Sequence, residues 1–270
     1  MDTAQLLELF DINENILSDV KPNSNKNIQN VTSISTEETP TAWVFGYGSL
    51  CYYPGFEYEK CVLGYIRGYV RRFWQGNTTH RGVPGKPGVV ATLVEDNEGI
   101  TWGCAYKITG NLALEYLKQR ECTLGGYVTE MTNFYPRYAT DSSGCGGESI
   151  SALLYIATPT NEHWIGELSE EKLAEMIVES RGPSGHNVEY LIRLVIFMRD
   201  ELPGIHDEHL FKLDRLVKKY IKSKNMCLSE CMGPPKPKIK RDLNGNAPQR
   251  PITFEHTSRV PSKRLRCLKI

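Results

Sequence analysis

Trp43-Val44-Phe45-Gly46-Tyr47-Gly48-Ser49-Leu50 is a short apolar strand that runs directly into a glycine-punctuated turn. Glycines on either side of Tyr47 permit positive φ and a close backbone approach, so consecutive N–H groups can converge on a carboxylate or carbonyl oxygen. A dinucleotide fingerprint needs a further glycine three residues after Gly48, where Cys51 stands, and a P-loop needs Gly-Lys-Ser/Thr, which is absent. Both nucleotide readings are therefore excluded. Taken alone, the stretch reads as a strand-end turn.

Outward from that turn the chain continues through Arg71-Arg72-Phe73-Trp74-Gln75-Gly76, His80-Arg81-Gly82-Val83-Pro84-Gly85-Lys86-Pro87-Gly88 and Arg120-Glu121-Cys122-Thr123-Leu124-Gly125-Gly126-Tyr127. Further on stand Leu153-Leu154-Tyr155-Ile156 and Gly182-Pro183-Ser184-Gly185-His186-Asn187-Val188-Glu189-Tyr190-Leu191. In this order and at these separations the segments closely resemble the ChaC family of glutathione-specific γ-glutamylcyclotransferases, over residues 42 to about 222. The resemblance implies an α+β fold, a compact γ-glutamylcyclotransferase-like mixed β-barrel with flanking helices. It also implies cleavage of reduced glutathione to 5-oxoproline and Cys-Gly without cofactor or metal. The spacing Cys122-Thr123-Leu124 between Glu121 and Gly125 is that of the longer subgroup.

A γ-glutamyl group carries its own nucleophile, an α-amine able to close on the γ-carbonyl as a five-membered lactam. The protein must fold the substrate, take a proton from the ammonium, steady the oxyanion and protonate the departing nitrogen. The resemblance assigns the proton transfers to Glu121, and substrate binding to the loop Val44, Phe45, Gly46, Tyr47, Gly48 and Ser49. It adds Arg81 as partner of a substrate carboxylate and Tyr155 as a hydroxyl donor, with Tyr127 near the site. By pattern alone, Glu121 is a helix-end acid paired with Arg120, Arg81 an exposed loop charge, and Tyr155 a packing residue. A free glutamate titrates near ~4.3, so catalysis by Glu121 requires apolar surroundings that raise its pKa. For Arg71, Arg72, Phe73 and Trp74 the residues suggest only aromatic packing.

The 270 residues are 40% hydrophobic, ample for one core, and the formal net charge is zero. That neutrality hides an acidic head and a basic tail. Residues 1–41 carry Asp2, Glu8, Asp11, Glu14, Asp19, Glu37 and Glu38 against Lys21 and Lys26, and read as a disordered extension. Residues 42–224 form the cyclotransferase-like domain. Residues 225–270 are basic and proline-containing, and read as a solvated tail rather than a nucleic-acid or membrane contact. Cys267-Leu268-Lys269-Ile270 is a poor prenylation box because Lys269 replaces an aliphatic residue. The longest apolar run, 194–198, is too short to cross a bilayer, and no signal peptide is recognisable. Eight cysteines are too sparse for a disulfide scaffold, so the expected location is the cytosol. Cys227 and Cys231 lack the companions of a zinc site, and His206-Asp207-Glu208-His209 reads as a helix start rather than a metal cluster.

Apolar or alternating runs at 42–45, 61–73, 88–94, 101–108, 127–135 and 151–157 predict strands. Helical spacing covers 112–120, 169–180, 187–201 and 209–222, with Ser169 and Asn187 as N-caps, and glycines at 144, 146 and 147 predict a loop over 140–148. Two other functions stay open on the residues: a cyclotransferase for other γ-glutamyl amino acids or amines, and a non-catalytic glutathione sensor or interaction protein with unknown protein partners.

Overall fold

The computed structural model describes residues 41–137 and 148–242. The expectations for the acidic head, for most of the 140–148 loop, for residues 243–270 and for Cys267 lie outside the described residues. The barrel strands are β1 (Thr41–Gly46), β2 (Lys60–Asn77), β3 (Gly88–Thr109), β4 (Val128–Pro136) and β5 (Ile150–Ile156), and a separate two-stranded sheet pairs Arg181–Gly182 with Gly185–His186. The barrel closes in the order β1-β3-β2-β4-β5. Neighbours are antiparallel except β1 and β5, which join in parallel at Val44 and Leu153. Closure removes the unpaired edges that an open sheet of these strands would expose.

The predicted runs 88–94 and 101–108 are one strand. Arg67 pairs with Ile100 and Tyr69 with Glu95, so Asp96-Asn97-Glu98-Gly99 bulges out of β3 opposite Gly68, whose φ is +84°. The polar bulge interrupts the hydrophobic pattern without ending the ladder. Above it, Tyr69–Asn77 of β2 and Gly88–Glu95 of β3 continue as a two-stranded arm. A second irregularity between Arg72 and Gln75 leaves the Phe73 N–H without a ladder partner, and His209 Nε2 accepts it at 3.1 Å.

Helices α1 (Asn111–Leu117), α2 (Glu170–Glu179), α3 (Asn187–Glu201), α4 (Glu208–Ser223) and α5 (Leu228–Cys231) follow the predicted order, the short α5 being additional. Helix α4 presents Leu210, Leu213, Val217 and Ile221 inward, and α3 and α4 pack on β3 and β2 respectively. Ser169 caps α2 by accepting from Lys172 N. The cap of α3 is His186, whose Nδ1 accepts from Val188 N at 3.1 Å, and not Asn187. Asn187 is fully buried and pairs both amide atoms with Val89, Oδ1 accepting from its N at 2.6 Å and Nδ2 donating to its O at 2.9 Å. It extends the β3 ladder sideways, a use that helix-start statistics do not anticipate.

Strand polarity places the site. Because β1 and β5 run parallel, their C-terminal ends share one mouth of the barrel, and antiparallel β4 begins there, Val128 opposite Ile156. The glycine turn after β1, the segment before β4 and the end of β5 therefore meet, with the β2–β3 arm rising beside them. Beyond α4 the chain stays packed: Asp242 N donates to Cys61 O at 3.0 Å, and Arg241 Nη2 donates to Cys51 O at 2.9 Å. The domain boundary expected at 224 thus lies inside a packed segment that runs to Asp242.

Candidate active site

After Gly46 the backbone tightens into a 3-10 turn, Ser49–Cys51. Neither Gly46 nor Gly48 takes positive φ, contrary to the expectation; Gly48 sits at φ −119°, ψ −126°. Close packing explains both glycines. A Cβ at Gly46 would lie 2.6 Å from Leu50 Cβ, and one at Gly48 would lie 2.8 Å from the Tyr190 hydroxyl.

Each carbonyl of the turn is tied back into the protein. Gly46 O accepts from Cys51 Sγ at 3.1 Å, Tyr47 O from Arg71 Nε at 2.9 Å, and Gly48 O from Cys51 N at 3.0 Å. Ser49 O accepts from Tyr53 N at 2.8 Å, Leu50 O from the Tyr106 hydroxyl at 2.6 Å, and Cys51 O from Arg241. The first hydrogen bond of the turn is donated by Cys51 N, so the N–H groups of Gly48, Ser49 and Leu50 precede it, as the first donors of any helical turn do. A loop anchored through its acceptors is preorganised to offer its donors.

Arg71 is the main anchor. Its side chain is 1% exposed, pairs with Asp207 at 2.5 Å, and donates to Tyr47 O and to Trp102 O. Asp207 in turn caps α4 by accepting from Leu210 N at 3.0 Å. The acid of the His206–His209 run is thus a cap and an ion-pair partner, and among the described residues no group of His, Cys, Asp and Glu is placed to hold a metal. Removing one partner of such a buried pair costs about 3–5 kcal/mol.

Glu121 lies in a π-helical turn, Lys118–Thr123, into which α1 passes at Leu117 instead of continuing to residue 120. Such wide turns are often found at functional sites. Its side chain is 15% exposed; Oε1 lies 3.0 Å from Arg120 Nε as an ion pair, yet it is buried and receives no hydrogen bond from the described residues. Burial pushes the Glu121 carboxyl above its ordinary pKa, and the opposing Arg120 guanidinium only partly offsets this. Gly125 and Gly126 close the turn, with Tyr127 N donating to Glu121 O at 3.1 Å. A Cβ at Gly125 would strike Glu121 O at 2.6 Å.

Arg120 joins the turn to the glycine loop, donating from Nη2 to Ser49 Oγ at 2.6 Å and from Nη1 to Pro54 O at 2.8 Å. Val44 and Phe45 are core residues of β1. Tyr47 is buried and donates to Tyr155 O at 2.6 Å, tying β1 to β5. Tyr47, Tyr127, Tyr155 and Tyr190 all have their phenols raised by burial, with the Glu121 charge adding to the effect. The structure therefore gathers Glu121, Tyr47, Ser49, Tyr127 and Tyr155 at one mouth. Arg81 is not the exposed loop charge that pattern suggested. It is buried, and its Nη1 donates to Glu189 Oε2 at 2.8 Å and to His186 O at 3.1 Å.

Sequence reasoning missed the anchoring roles of Arg71, Arg120, Glu189 and Arg241. Only the density of Arg71-Arg72-Phe73-Trp74 signalled anything. The partners of these residues lie far away in the chain, where no local pattern reaches.

One mouth of a small closed barrel thus holds a desolvated carboxylate, ion-paired with Arg120 but without a hydrogen bond among the described residues, beside a glycine turn anchored through its carbonyls. The sequence profile of the family described as ChaC-like protein matches residues 42–220, and the chain belongs to that family. Glutathione-specific γ-glutamylcyclotransferase 1 of Homo sapiens is 50% identical over 171 residues, covering 62% of this chain and 74% of that protein. The glutathione-specific γ-glutamylcyclotransferase of Schizosaccharomyces pombe is 34% identical over 197 residues, 66% of this chain and 92% of its own. Among solved structures, a yeast γ-glutamyl cyclotransferase specific to glutathione superposes with a TM-score of 0.60 at 29% identity, covering 67% of this chain and 96% of that one.

Proposed function

We propose that this chain is a glutathione-specific γ-glutamylcyclotransferase, a carbon–nitrogen lyase that converts reduced glutathione to 5-oxoproline and Cys-Gly. The observation that carries the reading is the Glu121 carboxylate, buried, ion-paired with Arg120 yet without a hydrogen bond among the described residues, and raised in pKa beside a loop whose carbonyls are all engaged elsewhere. Glu121 takes a proton from the substrate α-ammonium, and the freed amine attacks the γ-carbonyl carbon. The oxyanion is met by N–H groups of Gly48, Ser49 and Leu50. The bond from the γ-carbon to the cysteine nitrogen then breaks as protonated Glu121 returns its proton to that nitrogen. The Glu121 carboxylate so regenerated takes the second proton from the ring nitrogen and passes it to the released amine, leaving the neutral lactam of 5-oxoproline and Cys-Gly as its ammonium. A raised pKa suits both halves of this exchange. Tyr155 and Tyr127 border the reacting group, and Arg81 acts on the substrate only from behind Glu189.

A cytosolic location fits this reading, because cysteines 51, 61, 104, 122, 227 and 231 are all free thiols. Among the described residues no helix is long and apolar enough to cross a membrane.

The test incubates the purified chain with reduced glutathione and, separately, with γ-glutamyl-alanine, and follows 5-oxoproline by mass spectrometry. Product from glutathione alone, lost in Glu121→Gln, is expected. Product mainly from γ-glutamyl-alanine would move the assignment to a broader cyclotransferase, and none from either would favour a sensor.

A further inference from the structure

Beyond Arg120 stand polar atoms that the cyclisation does not use. Tyr52 follows the glycine turn and packs edge-on against Tyr190, ring centroids 6.3 Å apart. Its hydroxyl is buried and has no hydrogen-bond partner among the described residues. His80, at the tip of the β2–β3 arm, has Nδ1 3.1 Å from Ser184 Oγ, while its Nε2 is likewise buried without a partner. Both side chains lie in the field of Arg81 and Arg120. Buried polar atoms left unsatisfied cost about 1–3 kcal/mol each, so two such atoms that both face the charges of Arg81 and Arg120 call for a missing partner.

Charge specifies the partner. Among the described residues, Arg81, Arg120 and Arg193 form ion pairs with Glu121 and Glu189 alone, which leaves one guanidinium charge in excess. The satisfying group is therefore an anion that accepts hydrogen bonds, and a carboxylate fits. Arg120 fixes its position relative to the chemistry. It turns Nε to Glu121 and its Nη atoms to Ser49 and to Pro54, two residues after Tyr52. Arg120 is thus next to Glu121 and within the charge range of both Tyr52 and His80, so one extended ligand lying along it meets both ends.

We propose that Tyr52 and His80, backed by Arg81 and Arg120, form the subsite that receives the glycine carboxylate of the substrate's Cys-Gly half. The subsite rests on the glutathione reading and deepens it. A γ-glutamyl amino acid places its carboxylate one residue closer to the reacting carbon and cannot fill the subsite while its γ-carbonyl is at the loop. Selection for the tripeptide follows from that reach.

The experiment compares kcat/KM for glutathione and for its glycine monoethyl ester, which lacks the anionic terminus, in the wild type, Tyr52→Phe and His80→Gln. The wild type is expected to prefer glutathione by about ten- to a hundredfold, the range of a hydrogen-bonded charge. Each variant is expected to lose about tenfold on glutathione and to be unchanged on the ester, so that the preference shrinks. Tyr52→Phe removes only an unpartnered hydroxyl, so its melting temperature should not fall; this separates lost recognition from lost folding. Equal use of both substrates by the wild type, or an unchanged preference in both variants, would overturn the subsite while leaving the cyclotransferase reading intact. Absence of 5-oxoproline from either substrate with the wild type would sink that reading, and the subsite with it.

Discussion

Glu121 is held in the folded chain against its own solvation, because the π-turn buries its carboxylate and the neighbouring guanidinium pairs with it without donating a hydrogen bond. Its folded-state pKa stands above the ordinary 4.5, so the folded state binds this proton more tightly than the unfolded state does. The resulting penalty is absent well below the ordinary value, grows as pH rises through it, and is complete above the folded value. Glu121→Gln should therefore abolish 5-oxoproline formation and yet melt no lower than the wild type at pH 7. Any stability advantage of the variant should vanish in melts at acid pH. A variant much less stable at pH 7 would mean that the ion pair with Arg120 outweighs the desolvation. Such a trade of stability for function is usual at active sites.

At the scale of elements, the β2 irregularity and α4 hold each other. The Phe73 N–H, freed from the ladder between Arg72 and Gln75, donates to His209 Nε2, so the imidazole must be neutral. Burial lowers the His209 pKa from 6.5 to about 4, with the Arg72 and Lys212 charges lowering it further and Asp207 and Glu170 opposing. A depressed histidine contributes stability that is fully present above 6.5 and lost as pH falls toward 4. Over that window the loss amounts to about 3 kcal/mol. Urea unfolding at pH 7.5 and 4.5 should show this loss in the wild type, with a shallower loss in His209→Gln, which keeps an acceptor but cannot be protonated. Identical pH dependence in the two proteins would remove His209 from this role.

Across the whole molecule, the segment after α4 works as a strap. Arg193 Nη2 donates to Pro234 O at 2.7 Å, Arg241 lies 5.0 Å over the Phe197 ring and pairs with Glu201, and Asp242 Oδ2 accepts from Cys61 N at 3.3 Å. Through Cys51 O the strap also supports the glycine turn from behind. A chain ending at residue 224 should lose about 5 °C or more of melting temperature and have a reduced kcat, whereas one ending at residue 242 should keep both. Full activity in the shorter chain would show that the turn holds without the strap. Much of this architecture was legible in advance. The strand runs, the α2 cap and the inward face of α4 follow from periodicity and capping chemistry, which act over a few residues. The strap was not legible, since proline and lysine content describes solvation and says nothing about which carbonyls a single buried arginine will find.

The sequence by itself determined the order and type of the main elements, though not the joining of 88–94 to 101–108, the π-turn or the short α5, together with the family and the candidates Glu121 and Gly46-Tyr47-Gly48-Ser49, because each rests on residue type and short spacing. Only the tertiary structure decided that parallel pairing of β1 with β5 brings the glycine turn, the π-turn and Tyr155 to one mouth. It also decided that Arg71, Tyr106 and Arg241 tie back the carbonyls of that turn, and that Arg81 faces Glu189. The reason is physical. A buried charge or carbonyl must find a partner wherever the closed barrel places one, and that partner is set by packing across long loops, not by neighbours in the chain.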